Sequence, residues 1–94
     1  MDPPVSESIS YPNPARRSEG RVCFAFSPTS SASIDVYDML GNKVAVIPAS
    51  ALTPERGFGC WNMKNLRNSL IVPGIYYYII HLDGRDQRGK LTVK

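Results

Sequence analysis

The sequence is poor in the residues that build most catalytic and metal sites. It holds one histidine, His81, and two cysteines, Cys23 and Cys60. One histidine and two distant cysteines, outside any CxxC spacing, do not supply a zinc ligand set. No serine or cysteine has an evident base beside it, so His81 reads as a strand histidine rather than a general base. Asp35, Asp38, Asp83 and Asp86 lack the dense odd spacing of a calcium loop. No apolar run approaches the ~20 residues of a membrane helix; the longest spans Ile75 to Ile80. The N-terminus, Met1-Asp2-Pro3-Pro4, lacks the basic start and apolar stretch of a secretory leader, so an exported parent would carry its leader upstream. Lys and Arg exceed Asp and Glu by 11 to 8, but they are scattered, and nothing forms the dense basic stripe that a nucleic-acid backbone requires. A chain of 94 residues is one domain, with room for one core and shallow clefts. No enzyme activity, cofactor, metal, nucleic acid or membrane span is expected.

Glycine and proline recur along the whole chain, and that punctuation marks many short strands. Residues 1–7 are polar and are expected to be a flexible linker, with one folded domain over 8–94. Ile9 and Tyr11 alternate with Ser8 and Ser10, a short first strand stopped by Pro12-Asn13-Pro14, where two prolines remove backbone donors. From Arg21 to Ser27, Val22, Phe24 and Phe26 share one face. Ser33 to Asp38 places Ile34 and Val36 inward. Leu40-Gly41-Asn42-Lys43 is a tight connection in which Gly41 or Asn42 takes positive φ, and Val44 and Val46 continue in the next strand. Ile47 to Arg56 reads as a loop plugged by Leu52. Gly57 to Met63 puts Gly59, Trp61 and Met63 inward, with Trp61 as the large residue between sheets. Lys64 to Ser69 is a polar crossover. Ile75 to Leu82, opened by Pro73-Gly74, is apolar on both faces and belongs in the middle of a sheet. Asp83-Gly84 turns into Gln87 to Val93, with Leu91 and Val93 inward. Seven short antiparallel strands without an amphipathic helix predict an all-β, immunoglobulin-like sandwich.

Several side chains have specific expectations. A disulfide between Cys23 and Cys60 would need neighbouring strands, which the sequence does not establish; two separate packed thiols are expected. Tyr76, early in the central strand, suits a tyrosine corner whose hydroxyl bonds back to the chain. Tyr77 faces away from Tyr76 and Tyr78, and strand phase offers no coplanar exposed aromatic pair for stacking a sugar. The last strand is expected at a sheet edge, with backbone groups open to a partner and Lys90 and Lys94 flanking it.

Five motifs in order resemble known families. They are Tyr11-Pro12-Asn13-Pro14-Ala15, the block Ile34 to Val44 around Tyr37-Asp38 and Gly41, Trp61-Asn62-Met63-Lys64-Asn65, Pro73-Gly74-Ile75-Tyr76-Tyr77-Tyr78, and the closing Gly89-Lys90-Leu91-Thr92-Val93-Lys94. Together they resemble the C-terminal sorting domains of the type IX secretion system, and the immunoglobulin-like domain of the flagellar hook-capping protein. The chain departs from the pattern at Met63, where glycine is usual, and in the added length of residues 68–72. The resemblance implies a C-terminal module of a larger cargo protein, read by a bacterial translocon and a sortase and delivered to the outer membrane or cell surface. It also implies contact with a preceding domain. The chain ends at Lys94, directly after the closing motif, where such a signal is expected. The signal residues it implies are Tyr11, Pro12, Asn13, Pro14, Gly89, Lys90, Leu91, Val93 and Lys94, with Gly41, Trp61, Gly74 and Tyr76 structural. The alternative is an immunoglobulin-like spacer or assembly module, on a surface enzyme or in a hook-cap-like structure, with no sorting role.

Overall fold

A computed structural model describes residues 9–94; the expected linker over 1–7 lies outside the described residues. The chain is an all-β sandwich of two four-stranded sheets, ordered β1-β2-β6-β5 and β4-β3-β7-β8, and every strand pairing is antiparallel. The first sheet holds β1 (Ile9–Tyr11), β2 (Val22–Ala25), β5 (Leu52–Thr53) and β6 (Phe58–Trp61); the second holds β3 (Ser33–Tyr37), β4 (Lys43–Ile47), β7 (Gly74–Leu82) and β8 (Arg85–Val93). The expected strands all form. There is one more than the seven expected, because Leu52 and Thr53 pair with Gly59 and Phe58 within the segment read as a loop. Two residues between one-turn 3-10 segments, Ala49–Ala51 and Pro54–Arg56, are too few to show a period of two.

The alternation places apolar residues inward in β2, β3, β6, β7 and β8. In β1 the polar Ser10 is buried while Ile9 and Tyr11 are exposed, and in β4 Ala45 and Ile47 turn inward and Val46 outward. Val22, Phe24, Leu52 and Trp61 point inward from the first sheet, and Ile34, Val36, Ala45, Ile47, Tyr76, Tyr78, Ile80, Leu91 and Val93 from the second. At the centre the Phe24 and Tyr78 rings meet edge to face, centroids 4.9 Å apart, the geometry favoured by aromatic quadrupoles. The nine-residue strand β7 lies between β3 and β8, as its two apolar faces require. Met63 is fully buried, yet its φ is +64°. This is the position where the resembled families carry glycine, and a left-handed backbone is the physical reason for that preference.

The cysteines correct one expectation. Cys23 and Cys60 are directly opposite each other in the β2·β6 ladder and form a disulfide, leaving no free thiol among the described residues. Their neighbourhood depends on β2 pairing with β6 across a separation of 37 residues, which strand periodicity does not reveal.

Candidate functional site

Two of the singled-out motifs, distant in sequence, meet along one edge of the second sheet. β8 is the last strand of that sheet, and a terminal strand presents alternate N–H and C=O groups to whatever lies outside it. Here the segment after β1 lies against it. The Asn13 side chain donates from Nδ2 to the Lys90 carbonyl at 3.1 Å and accepts the Thr92 N–H at Oδ1, also at 3.1 Å. Ala15 continues the pairing. Its N–H donates to the Thr92 carbonyl at 2.7 Å, and its carbonyl accepts the Lys94 N–H at 2.8 Å. The Arg17 N–H then donates to the Lys94 carbonyl at 2.9 Å. Ala15 and Val93 form a parallel bridge and are both buried. Both prolines of the motif follow cis peptide bonds. The edge expected to be open is therefore closed from Lys90 to Lys94 by residues 13–17, which act as a strap.

The other signal residues divide between core and surface. Leu91 and Val93 are buried, while Tyr11, Pro12, Asn13, Pro14, Lys90 and Lys94 are exposed. Gly89 pairs with Tyr78, whose ring covers it so closely that a Cβ there would overlap the ring. The glycine thus has a packing reason, independent of any recognition.

The residues read as structural lie in β6 (Trp61), in β7 (Gly74, Tyr76) and in the β3–β4 turn (Gly41). The Trp61 indole N–H donates to the Lys64 carbonyl at 3.1 Å. The Tyr76 hydroxyl donates to the Val72 carbonyl at 2.6 Å, four residues back, as a corner tyrosine should. Burial pushes its pKa up, and the Asp38 charge adds to this. Gly41 has φ +88° in the β3–β4 turn, and Gly74 opens β7. In that turn the Asp38 carboxylate accepts the N–H groups of Leu40 and Asn42, each at 2.9 Å. The Asn42 amide is the main cause holding the Asp38 pKa below the ordinary carboxylate value.

The outer face of the second sheet carries two features that strand phase did not reveal. His81 lies between two carboxylates, Nδ1 3.0 Å from Asp86 and Nε2 3.0 Å from Asp35, with Lys43 3.5 Å from Asp35. Partial burial pulls the imidazole pKa down, but the two carboxylates outweigh it and the net shift is upward. Beside this cluster, a groove of about 600 Å³ runs past Tyr37, Met39, Tyr77, Arg88 and Lys90. Tyr37 and Tyr77 are directly paired across β3 and β7. Cross-strand neighbours follow from register, and register is not written in either strand alone.

The described residues contain no cluster of three or more His, Cys, Asp or Glu side chains placed to hold a metal ion. No described helix is long and apolar enough to cross a membrane.

The fold and its closed edge define an immunoglobulin-like β-sandwich domain. No protein-family model matches the sequence, and no curated protein matches it. Solved structures do. One is that of PorZ from Porphyromonas gingivalis, described as an essential bacterial surface component of the type-IX secretion system. The match has a TM-score of 0.69 at 16% identity, over 93% of this chain and 11% of that one. Another is dimeric latent PorU from the same organism, with a TM-score of 0.64 at 21% identity, over 93% of this chain and 9% of that one. The chain thus spans about a tenth of the length of each. At these identities the likeness is one of fold.

Proposed function

We propose that this chain is a non-catalytic sorting and anchoring module that directs a larger cargo protein through the type IX secretion system to the bacterial cell surface. The observation that carries this reading is the closing segment, Gly89 to Lys94. It lies on a terminal strand with Lys90 and Lys94 in solvent and its other groups fixed by the fold. The order of the five motifs supports it, as does a fold shared with domains of PorZ and PorU. The disulfide suits a domain that matures outside the reducing cytoplasm. Its partners in this reading are the translocon, a sortase and the preceding domain of the parent protein.

The test is a fusion of the 94-residue chain to the C-terminus of a periplasmic reporter, in a host with type IX secretion. The fused reporter should reach the cell surface, and the unfused reporter should stay in the periplasm. Removing Lys90 to Lys94 should abolish delivery. Equal distribution of fused and unfused reporter would refute the proposal.

The second reading, an immunoglobulin-like spacer or assembly module, is favoured by the packing of Gly89 against Tyr78 and the engagement of the closing strand by residues 13–17, which a plain closing strand also needs. It predicts a folded fusion that is not delivered.

A further inference from the structure

We infer that the Tyr11–Pro14 and Gly89–Lys94 motifs are a single recognition element, joined through the Asn13 carboxamide, and that an acidic protein surface reads it through side chains rather than by adding a strand. The joining of the motifs stands on geometry alone; the nature of the partner rests on the sorting reading above.

A partner strand docks by pairing with free N–H and C=O groups along an edge. On β8, from the Lys90 carbonyl to the Lys94 carbonyl, the outward groups are already engaged: the Lys90 carbonyl and Thr92 N–H by Asn13, the Thr92 carbonyl and Lys94 N–H by Ala15, and the Lys94 carbonyl by Arg17. A carboxamide offers the same donor and acceptor as a peptide unit, so Asn13 stands in for one residue of a neighbouring strand. Strand addition here would first have to break five hydrogen bonds.

What stays accessible is the side-chain surface, with Tyr11, Arg16, Lys90 and Lys94 all exposed. Its charge is one-sided. Residues 9–21 hold three arginines against Glu19, and residues 85–94 hold four basic residues against Asp86. Asp86 is already paired with His81. Carboxylates on a partner would complement this surface, and charge complementarity sets both encounter rate and specificity.

Hydrogen exchange on the purified chain tests the strap. In Asn13→Ala, the Thr92 and Lys94 amides should exchange at least about tenfold faster, because their partner segment is released. The amides of Leu91 and Val93, which alternate away from the strap toward β7, should keep their rates. Asn13→Asp, nearly isosteric, serves if Asn13→Ala does not fold. It keeps the acceptor for the Thr92 N–H and loses the donor to Lys90, so Thr92 should stay more protected than in Asn13→Ala. Unchanged Thr92 and Lys94 exchange in a folded Asn13→Ala protein would overturn the strap.

The partner is tested in the reporter fusion. Lys90→Glu/Lys94→Glu should keep the exchange pattern and melting temperature of the parent while cutting surface delivery at least about fivefold. Wild-type delivery by that variant would overturn the acidic partner. If deleting the tail left delivery unchanged, the sorting reading and its partner would fall together. The exchange result would still decide the strap.

Discussion

His81 has both ring nitrogens within hydrogen-bond distance of carboxylate oxygens. Carboxylates only accept, so the doubly protonated ring is the form that satisfies both. Its folded pKa is raised above the unfolded value. The stabilisation is therefore fully present below the unfolded pKa, about 6.5, and is lost as pH rises through the folded pKa. The melting temperature should fall over that interval. The effect should be small and weaker in high salt, since His81 and Asp86 are about 40% exposed. His81→Gln should flatten the profile; a variant with the parent's slope would disprove the assignment. Gly89 has a different role. Gly89→Ala sets a methyl group against the Tyr78 ring, and overpacking of this kind costs about 1–3 kcal/mol. Denaturant titration should show the loss. If Gly89→Ala is as stable as the parent, Tyr78 is free to move aside. Met63 combines opposing terms. Glycine there would relieve a left-handed backbone worth about 1–2 kcal/mol, but burying the side chain is worth about 2–5 kcal/mol. Met63→Gly should therefore destabilise, and a gain in stability would reverse that ordering.

At the scale of elements, the disulfide fixes β2 to β6 in a ladder only four residue pairs long. Closing a loop of 37 residues reduces unfolded-chain entropy by an amount equivalent to about 4 kcal/mol at room temperature. Cys23→Ala/Cys60→Ala should lower unfolding stability by about 2–4 kcal/mol, with β7 and β8 the last to lose exchange protection. A melting temperature equal to that of the oxidised parent would refute the loop-closure argument. The sheet edges are managed by brevity and cover: β1 and β5 are three and two residues long, Leu66 bonds to the Val44 carbonyl outside β4, and residues 13–17 close the far end of β8. Such edges resist uncontrolled pairing between copies.

Across the whole molecule, the core is one continuous cluster shared by both sheets. A domain of this size has little stability to spare. Phe24→Ala removes half of the central aromatic pair from a site without exposure and should cost about 3–5 kcal/mol. Thermal unfolding should then begin near ambient temperature; a loss below 1 kcal/mol would mean that the sheets close up around the gap.

The sequence by itself determined the strands other than β5 and, outside β1 and β4, their inward faces, because period-two alternation is local: Ile34 and Val36, Gly59 and Trp61, and Leu91 and Val93 all turn inward as their spacing dictates. It also marked β7 as interior and Tyr76 as a corner residue. Tertiary structure alone decided what crosses between strands: the Cys23–Cys60 bond, His81 between Asp35 and Asp86, Tyr37 beside Tyr77, and Asn13 against Lys90 and Thr92. Each depends on pairing order and register, which arise only when the two sheets assemble.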